Sequence, residues 1–112
     1  MKHIIAVIRP EKLDVVRSAL EKVGYSGLMI SEIEGHGKQK GVVQQWRGEK
    51  YKVDLISKIK LEAVVKDSEA GTIVKTIMEH ARTGEIGDGK IFISHIEEVI
   101  RIRTGETGEI AL

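Results

Sequence analysis

The 112-residue chain contains no cysteine, which excludes disulfides and thiolate metal sites. Aromatic residues make up only 4% of the sequence and include a single phenylalanine, Phe92. This scarcity argues against an RNA-recognition domain, which stacks bases on the aromatic side chains of its sheet. Neither sign of charge dominates, because 18 basic and 17 acidic residues leave a net charge of +1. We therefore expect no nucleic-acid partner.

Long apolar runs are also absent. The longest, Ile4 to Ile8, is too short to cross a bilayer, and no signal-peptide pattern precedes it. We expect a soluble, cytoplasmic protein. Hydrophobic residues nevertheless make up 41% of the sequence, which is enough for the core of one compact domain covering residues 1–112.

Apolar residues alternate or recur at helical spacing in successive segments. The pattern predicts a strand over residues 3–8, a helix that begins at Pro10 and ends at Gly24, and a strand over 27–34. A third strand is predicted from Lys52 onward, and it is followed by a helix capped by Asp67 or Ser68. The chain then continues with a predicted strand over 91–96 and an extended piece over 100–103. The helical stripes are Leu13, Val16, Leu20 and Val23, then Ala70, Ile73, Ile77 and Ala81.

The order of strand, helix, strand, strand, helix, strand predicts a ferredoxin-like α+β fold, in which two helices cover one face of an antiparallel sheet. The first strand is almost continuously apolar, a pattern typical of burial on both faces. We therefore expect an oligomer whose sheets pack on neighbouring subunits. The alternative is a polar, solvated second face.

Neither period holds between His36 and Asp54. Structureless loops longer than ~12–15 residues are uncommon in compact domains and are usually functional or disordered. This segment contains the only tryptophan, Trp46, followed by Arg47, and both residue types concentrate at interface hot spots. The segment predicts a protein-recognition loop, and the alternative is a long hairpin with a solvated tip.

The segment from Thr83 to Lys90 is rich in glycine and has the GxxxxGK spacing of a phosphate-binding P-loop. However, Ile91 stands where Ser or Thr would hold magnesium, and a strand-like run follows instead of a helix. The segment is therefore not a Walker A motif. Glycines that free backbone N–H groups beside a lysine can still form an anion-binding nest.

Arg101 and Arg103 lie two residues apart on the last extended piece, so both are expected to point to one side, ~7 Å apart. Their forked guanidinium groups suit the bidentate binding of phosphate oxygens. The alternative is a solvated strand face paired with Glu97 or Glu98. Together with the glycine nest and Lys90, the two arginines favour a polyphosphate ligand.

Side chains with an evident catalytic or metal-binding arrangement are not found. The four histidines show no metal-ligand spacing, and no Ser/His/Asp set or carboxylate pair is arranged for catalysis. Lys58, Lys60 and Glu62 share one face of the third strand, which can simply be its solvated face. We expect a binding protein and not an enzyme, with a metabolic enzyme or enzyme subunit on the same fold as the competing class.

Four motifs in this sequence are similar to those of the PII nitrogen-regulatory signal-transduction family (GlnB/GlnK type), along essentially the whole chain. They are Gly35-His36-Gly37-Lys38-Gln39-Lys40-Gly41, Arg47-Gly48-Glu49-Lys50-Tyr51, Thr83 to Phe92, and Arg101-Ile102-Arg103-Thr104-Gly105-Glu106. The resemblance implies a ferredoxin-like homotrimer with nucleotide sites in the clefts between subunits. ATP and ADP compete there, and with ATP and magnesium many members also bind 2-oxoglutarate.

The resemblance also implies roles by position. Nucleotide contacts fall on Met29, Gly35, Gly37, Lys38, Gln39, Glu62, Val64, Gly87, Asp88, Gly89, Lys90, Arg101 and Arg103. Gln39 is expected to help hold magnesium, and Lys58 with Gln39 to bind 2-oxoglutarate. Residues 37–54 correspond to the mobile recognition loop of the family, the T-loop, whose arginine tip enters and closes an ammonium channel in GlnK-like members.

Three positions depart from the pattern of the family. Met29 stands where many members have a threonine that hydrogen-bonds the nucleotide, and Lys38 stands where arginine is frequent. The loop motif reads Trp46-Arg47-Gly48-Glu49-Lys50-Tyr51 in place of Tyr-Arg-Gly-Ala-Glu-Tyr. Tyr51 occupies the position that is uridylylated in some members. The resemblance leaves the target open among an ammonium channel, glutamine synthetase and a nitrogenase-control system.

Overall fold

Eight helices and strands form the frame of the molecule. The computed structural model describes residues 1–36, 43–46, 49–52 and 55–112. Along the chain these elements are β1 (Lys2–Ile8), α1 (Leu13–Lys22), β2 (Met29–His36), β3 (Val43–Trp46), β4 (Glu49–Lys52), β5 (Leu55–Val65), α2 (Asp67–Ala81) and β6 (Lys90–His95), with 3₁₀ turns at Pro10–Lys12 and Gly108–Ala111. No helix among the described residues is long and apolar enough to cross a membrane.

The four longer strands pair antiparallel in the order β2-β5-β1-β6. Both α1 and α2 lie on one face of this sheet, so the predicted ferredoxin-like α+β fold is confirmed. β1 is a central strand, and each of its residues has a partner on β5 and most have one on β6. The register of β1 therefore decides which side chains meet across the sheet.

The core lies between the sheet and the two helices. β1 contributes Ile4, Ala6 and Ile8, each at most 2% exposed. The predicted helical stripes also enter this core, most deeply at Val16, Leu20 and Ile77, except for Val23, which is 47% exposed. Full burial of one such aliphatic side chain stabilises a fold by ~1.5–3 kcal/mol, so the stripes hold the helices against the sheet.

The opposite sheet face, here called the open face, carries the alternate residues of β1. Its members His3, Ile5 and Val7 are half-buried, whereas Phe92 on β6 is 55% exposed. The prediction that β1 is buried on both faces thus holds for one face of this chain. Burial of the other face by a neighbouring subunit stays a prediction.

Several element boundaries differ from the prediction, including those of α1, which spans Leu13–Lys22 and not Pro10 to Gly24. β2 begins at Met29 and continues through Gly35 to His36, because β5 offers partners along this whole length. β5 itself begins at Leu55, not at Lys52. The residue that precedes α2 as its cap is Lys66, without a side-chain capping bond. Asp67 is already helical, and its carboxylate lies 3.0 Å from the Met1 amino group.

The segment between His36 and Asp54 contains two strands that the sequence did not predict. β3 and β4 pair antiparallel, and Trp46 lies opposite Glu49. Their sequences, VQQW and EKYK, are largely polar, so hydrophobic periodicity carried no signal. The expected loop is thus in part a β-hairpin, one of the two alternatives for this segment. Residues 37–42, 47–48 and 53–54 lie outside the described part.

The prediction of an extended piece over residues 100–103 is wrong. Ile100 forms an isolated bridge with Thr107, and the chain between them turns back on itself. The Gly105 N–H donates to the Arg101 carbonyl at 2.8 Å, and Gly105 has a φ of +73°. Glycine adopts this conformation without steric cost, so the turn prevails over the alternation of Ile and Arg.

Gly89 is predicted to be intolerant of a side chain. It has a φ of +102°, and a Cβ added there would lie 1.7 Å from the Val7 carbonyl oxygen. Gly84 has a similar φ of +90° but nothing within 4 Å of its added Cβ, so Gly84→Ala is the matched control. Gly84→Ala should cost ~1–2 kcal/mol for the backbone conformation alone. Gly89→Ala should cost at least ~2 kcal/mol more, because strand β1 must move.

Urea unfolding of the two variants beside the wild type measures this difference. Equal midpoints for Gly84→Ala and Gly89→Ala would show that the β1 backbone does not constrain position 89.

Candidate anion-binding site

Arg9 follows the last residue of β1 and lies between two segments that carry predicted site residues. Ile8 pairs with Ile59, so the next position of β1 is level with Lys58 on β5. Val7 pairs with Lys90, so the same continuation brings Arg9 level with Asp88. The register of a single strand thus brings together a guanidinium, an ammonium and a carboxylate at one end of the open face.

Asp88 organises the preceding turn, residues 83–90, here called the glycine loop. One carboxylate oxygen accepts hydrogen bonds from the Arg9 Nε at 3.0 Å and from the Thr83 hydroxyl. The other accepts the backbone N–H groups of Thr83 and Gly84, both at 2.8 Å. These contacts, led by the Thr83 hydroxyl, hold the pKa of the Asp88 carboxyl far below its usual range.

Two carbonyls of the glycine loop face cationic side chains. The Ile86 carbonyl accepts a hydrogen bond from Arg9 Nη2 at 2.9 Å, and the Gly87 carbonyl accepts one from the Lys58 ammonium. In a trans peptide the N–H points opposite to the C=O. The N–H groups of Gly87 and Asp88 are therefore directed away from these cations, and neither has a hydrogen-bond acceptor within the described residues.

Lys58 is a partly desolvated ammonium group. Its pKa is lowered, first by burial and then by the neighbouring Arg9 guanidinium. An ammonium has three donors, so the bond to the Gly87 carbonyl leaves others available. A carboxylate placed beside the Lys58 ammonium would relieve its repulsion with the Arg9 guanidinium. The position suits an anion.

Farther along the open face, a polar row crosses the sheet. Glu62 accepts a hydrogen bond from His3 Nε2 at 3.0 Å and lies 3.2 Å from the Lys60 ammonium. Met29 is the β2 partner of Glu62, and Val64 is the next residue of β5 on the same face. The structure thus places Met29, Glu62 and Val64 close together, as expected for residues around one ligand.

The predicted cluster of arginines and glycine loop does not form within this chain. Arg101 donates to the Glu106 carboxylate at 2.9 Å and to the Ile110 carbonyl at 2.8 Å, so its recorded contacts lie in the C-terminal segment. Arg103 is exposed on the turn. A site that uses these two arginines together with Lys90 requires either a rearrangement or a second subunit.

Several predicted site residues lie outside what the structure describes. These are Gly37, Lys38, Gln39 and Arg47, whereas Trp46 and Tyr51 are described as strand backbone only. Gly35 lies on β2 opposite Ile56. Among the described residues no cluster of His, Cys, Asp or Glu could hold a metal ion. The prediction of magnesium at Gln39 is untested, because Gln39 lies outside the described residues.

Sequence analysis missed the contributions of Arg9, Thr83 and His3. No motif identifies Arg9, because it acts across 77 to 79 residues of sequence on Ile86 and Asp88. The pairing of β1 with β6 could have located Arg9, because residues that continue the register of two paired strands lie opposite each other. Thr83 was recognisable, because Thr and Asp at a turn commonly bond to nearby backbone.

A cavity of about 400 Å³ reaches the glycine loop from the helical side. Its walls include Ile77, Met78, Ile91 and Ile93. The walls also include Arg82, Asp88, Gly89 and Lys90, so charged side chains line the cavity where it meets the glycine loop. Lys58 and the group of Met29, Glu62 and Val64 lie instead on the open face.

Comparison with known proteins identifies the family. A family model described as Nitrogen regulatory protein P-II matches residues 1–106. Nitrogen regulatory protein P-II 2 of Methanothermobacter thermautotrophicus is 52% identical over 112 residues, which are 100% of this chain and 97% of that protein. The P-II protein of Rhizobium meliloti is 52% identical over 108 residues, 96% of each chain. That of Haemophilus influenzae is 51% identical over 112 residues, 100% of each chain.

The sheet and the two helices define a ferredoxin-like α+β protein, and the comparisons place it among regulatory proteins. This chain belongs to the nitrogen regulatory protein P-II family.

The titration of Glu62 provides a test of the polar row. Its pKa is lowered, first by the hydrogen bond from His3 and then by the one from Lys60. In the His3→Ala variant the Glu62 pKa should rise toward its ordinary value of ~4.3. A lowered pKa in the folded state contributes stability above that ordinary value, and the contribution is lost as the pH falls through the lower one.

NMR titration of the Glu62 side-chain carboxyl carbon between pH 2 and pH 7 measures both midpoints. His80→Ala changes a histidine on α2, away from the polar row, and serves as control. An unchanged Glu62 midpoint in His3→Ala would refute the assigned contact.

Proposed function

We propose that this protein is a PII-type signal-transduction protein that senses ATP and ADP together with 2-oxoglutarate and regulates nitrogen assimilation. The observation that carries the proposal is the glycine loop. Two of its carbonyls are turned toward Arg9 and Lys58, the N–H groups of Gly87 and Asp88 point the other way, and Lys90 follows at the start of β6. Such an array of N–H groups and cations binds phosphate oxygens.

The nucleotide is proposed to lie along the open face. Its phosphates contact Gly35, Gly37, Lys38, Gly87, Gly89, Lys90, Arg101 and Arg103, and its adenosine lies near Met29, Glu62 and Val64. The closeness of Met29, Glu62 and Val64 on β2 and β5 supports this arrangement. No turnover of the nucleotide is expected, because the function is regulatory and not enzymatic.

The 2-oxoglutarate is proposed to bind beside the phosphates, with one carboxylate on Lys58 and with magnesium shared through Gln39. Magnesium would neutralise charge between phosphate and dicarboxylate oxygens. The lowered pKa of Lys58 supports a role in binding an anion, since desolvation and the Arg9 charge are the conditions that a carboxylate would relieve.

A homotrimer is proposed to complete the site. The open face carries Ile5, Val7 and Phe92, and Phe92 is 55% exposed in the single chain. Packing these side chains against neighbouring subunits would remove apolar surface from water. A neighbouring subunit could also bring in arginines at positions 101 and 103, which do not reach the glycine loop within one chain.

The T-loop, residues 37–54, is proposed to carry the signal to the partner. Gln39 lies at its base and in the proposed ligand shell, so each ligand would favour one conformation of the loop. Trp46 and Arg47 near its tip are proposed to contact a membrane ammonium channel from the cytoplasm. Glutamine synthetase and a nitrogenase-control system are the alternative targets, and Tyr51 is the proposed site of any modification.

Calorimetric titration with ATP, ADP and AMP, then with 2-oxoglutarate in the presence and absence of Mg-ATP, tests the ligand assignment. We expect binding of ATP and ADP, and binding of 2-oxoglutarate only alongside Mg-ATP. Nucleotide binding without a response to 2-oxoglutarate would indicate a sensor of energy charge alone. No nucleotide binding would refute the proposed function.

The role of Gln39 predicts a selective loss. Gln39→Ala should abolish 2-oxoglutarate binding and leave ADP binding within about twofold of the wild type, because only the former needs the magnesium contact. Gln44→Ala removes a nearby glutamine on β3 and serves as the matched control. Equal loss of ADP and 2-oxoglutarate binding in Gln39→Ala would contradict the assignment.

The role proposed for Arg47 predicts a loss of channel inhibition without a loss of nucleotide binding. Arg47→Ala should abolish inhibition of ammonium transport in vesicles that contain the channel, with ATP affinity unchanged. Lys52→Ala removes a T-loop cation at the end of β4 farther from the tip, where Lys52 pairs with Val43, and should retain most of the inhibition. Normal inhibition by Arg47→Ala would exclude the role of this residue in closing a pore.

A further inference from the structure

We propose that Asp88 does not itself bind the nucleotide but, together with Arg9 and Thr83, positions the glycine loop for the phosphates. This inference rests on the proposed nucleotide-binding function. It assigns Asp88 the role of a positioning residue, whereas the resemblance to the family had placed it among the nucleotide contacts.

The first argument is the capacity of the Asp88 carboxylate. A carboxylate has about four lone-pair positions, and each Asp88 oxygen already accepts two hydrogen bonds. The donors are the Arg9 guanidinium, the Thr83 hydroxyl and two backbone N–H groups. A further ligand to Asp88 would have to displace one of these donors.

The second argument is where those donors come from. The two backbone N–H groups belong to Thr83 and Gly84, at the start of the loop, while Asp88 lies near its end. The carboxylate therefore closes the loop on itself. The Thr83 hydroxyl also accepts the Glu85 N–H at 3.1 Å, so the same network fixes the next residue.

The third argument is the link to the sheet. Arg9 holds the Asp88 carboxylate and the Ile86 carbonyl with separate nitrogen atoms. A forked guanidinium makes both bonds at once, which one ammonium could not reproduce with the same geometry. The orientation of the Ile86–Gly87 peptide, and with it the Gly87 N–H, thus depends on a guanidinium that Asp88 holds in place.

The fourth argument concerns charge. An unpaired carboxylate beside a phosphate would repel it, but the Asp88 charge is paired with Arg9, and side-chain exposure in this pair is only 18% for Arg9 and 24% for Asp88. The lowered pKa of the Asp88 carboxyl keeps the pair charged at every pH at which proteins normally bind nucleotides. The carboxylate can therefore organise an anion site without opposing the anion.

A positioning role and a purely repulsive role of Asp88 predict opposite effects of Asp88→Asn. Asparagine has one acceptor oxygen in place of two, so it can accept either the two backbone N–H groups or the Arg9 and Thr83 donors but not all four, and a positioning role predicts weaker binding. We expect at least a ~tenfold higher Kd for both ATP and ADP, the size typical of losing hydrogen bonds to a charged group. If Asp88 only opposed the phosphates through its charge, the same variant would bind more tightly.

Glu85→Gln is the matched control, since it removes one carboxylate from the same loop. The Glu85 side chain is exposed, and its carboxylate makes no hydrogen bond or ion pair within the described parts of the chain. It should bind both nucleotides within about twofold of the wild type. Thr83→Ser retains the hydroxyl and should bind like the wild type, whereas Thr83→Val should weaken binding.

Amide hydrogen exchange of the ligand-free protein supplies a readout that a direct contact with nucleotide would not change. In Asp88→Ala, which removes both acceptor oxygens, the amides of Thr83 and Gly84 should exchange faster than in the wild type, and those of β1 should not. Circular dichroism and size-exclusion chromatography establish that each variant is folded. If Asp88→Asn does not fold, Thr83→Val and Arg9→Lys carry the same test.

The outcomes separate this inference from the proposed function. Wild-type binding that Asp88→Asn leaves unchanged or makes tighter would overturn the positioning role and leave the nucleotide sensor intact. Unchanged exchange at Thr83 and Gly84 would overturn it as well. If the wild type binds no nucleotide, the proposed function fails, and faster exchange in Asp88→Ala would still support the organising role in the loop.

Discussion

The antiparallel register of β1 between β5 and β6 is the constraint on which the rest of the molecule depends. With Ile8 opposite Ile59 and Val7 opposite Lys90, alternate residues of β1 enter the helical core and the remaining ones line the open face. A shift by one residue would move the apolar set out of the core. It would also separate Arg9 from its partners. Stability and the anion site therefore depend on the same pairing.

At the candidate anion site, cationic side chains hold backbone carbonyls in place. Arg9 and Lys58 hold the Ile86 and Gly87 carbonyls, which fixes the direction of the following N–H groups. Building the site in this way reduces the reorganisation needed on binding, which is the general advantage of preorganisation. Asp88 contributes a negative charge to the site, but one that is already paired with Arg9.

Much of the fold was predictable, because the segments that form its core have clear periodicity. The stripe that ends at Ile77 and Ala81 and the alternation around Ile59 and Leu61 identified α2 and β5 correctly. The hairpin β3–β4 was missed because its strands are largely polar, and the turn after Ile100 was missed because a glycine at positive φ overrode an alternating pattern. Local backbone conformation prevailed over side-chain pattern in the turn.

By itself, the sequence determined which residue types are available for binding, the order of the elements and the family resemblance that the comparisons bear out. These properties are local, since each depends on residues a few positions apart. Only the tertiary structure decided that Arg9 meets Asp88, that Lys58 meets Gly87, and that Arg101 turns to Glu106. Contacts between distant segments follow from strand register and turn geometry, and neither is encoded in the spacing of any single motif.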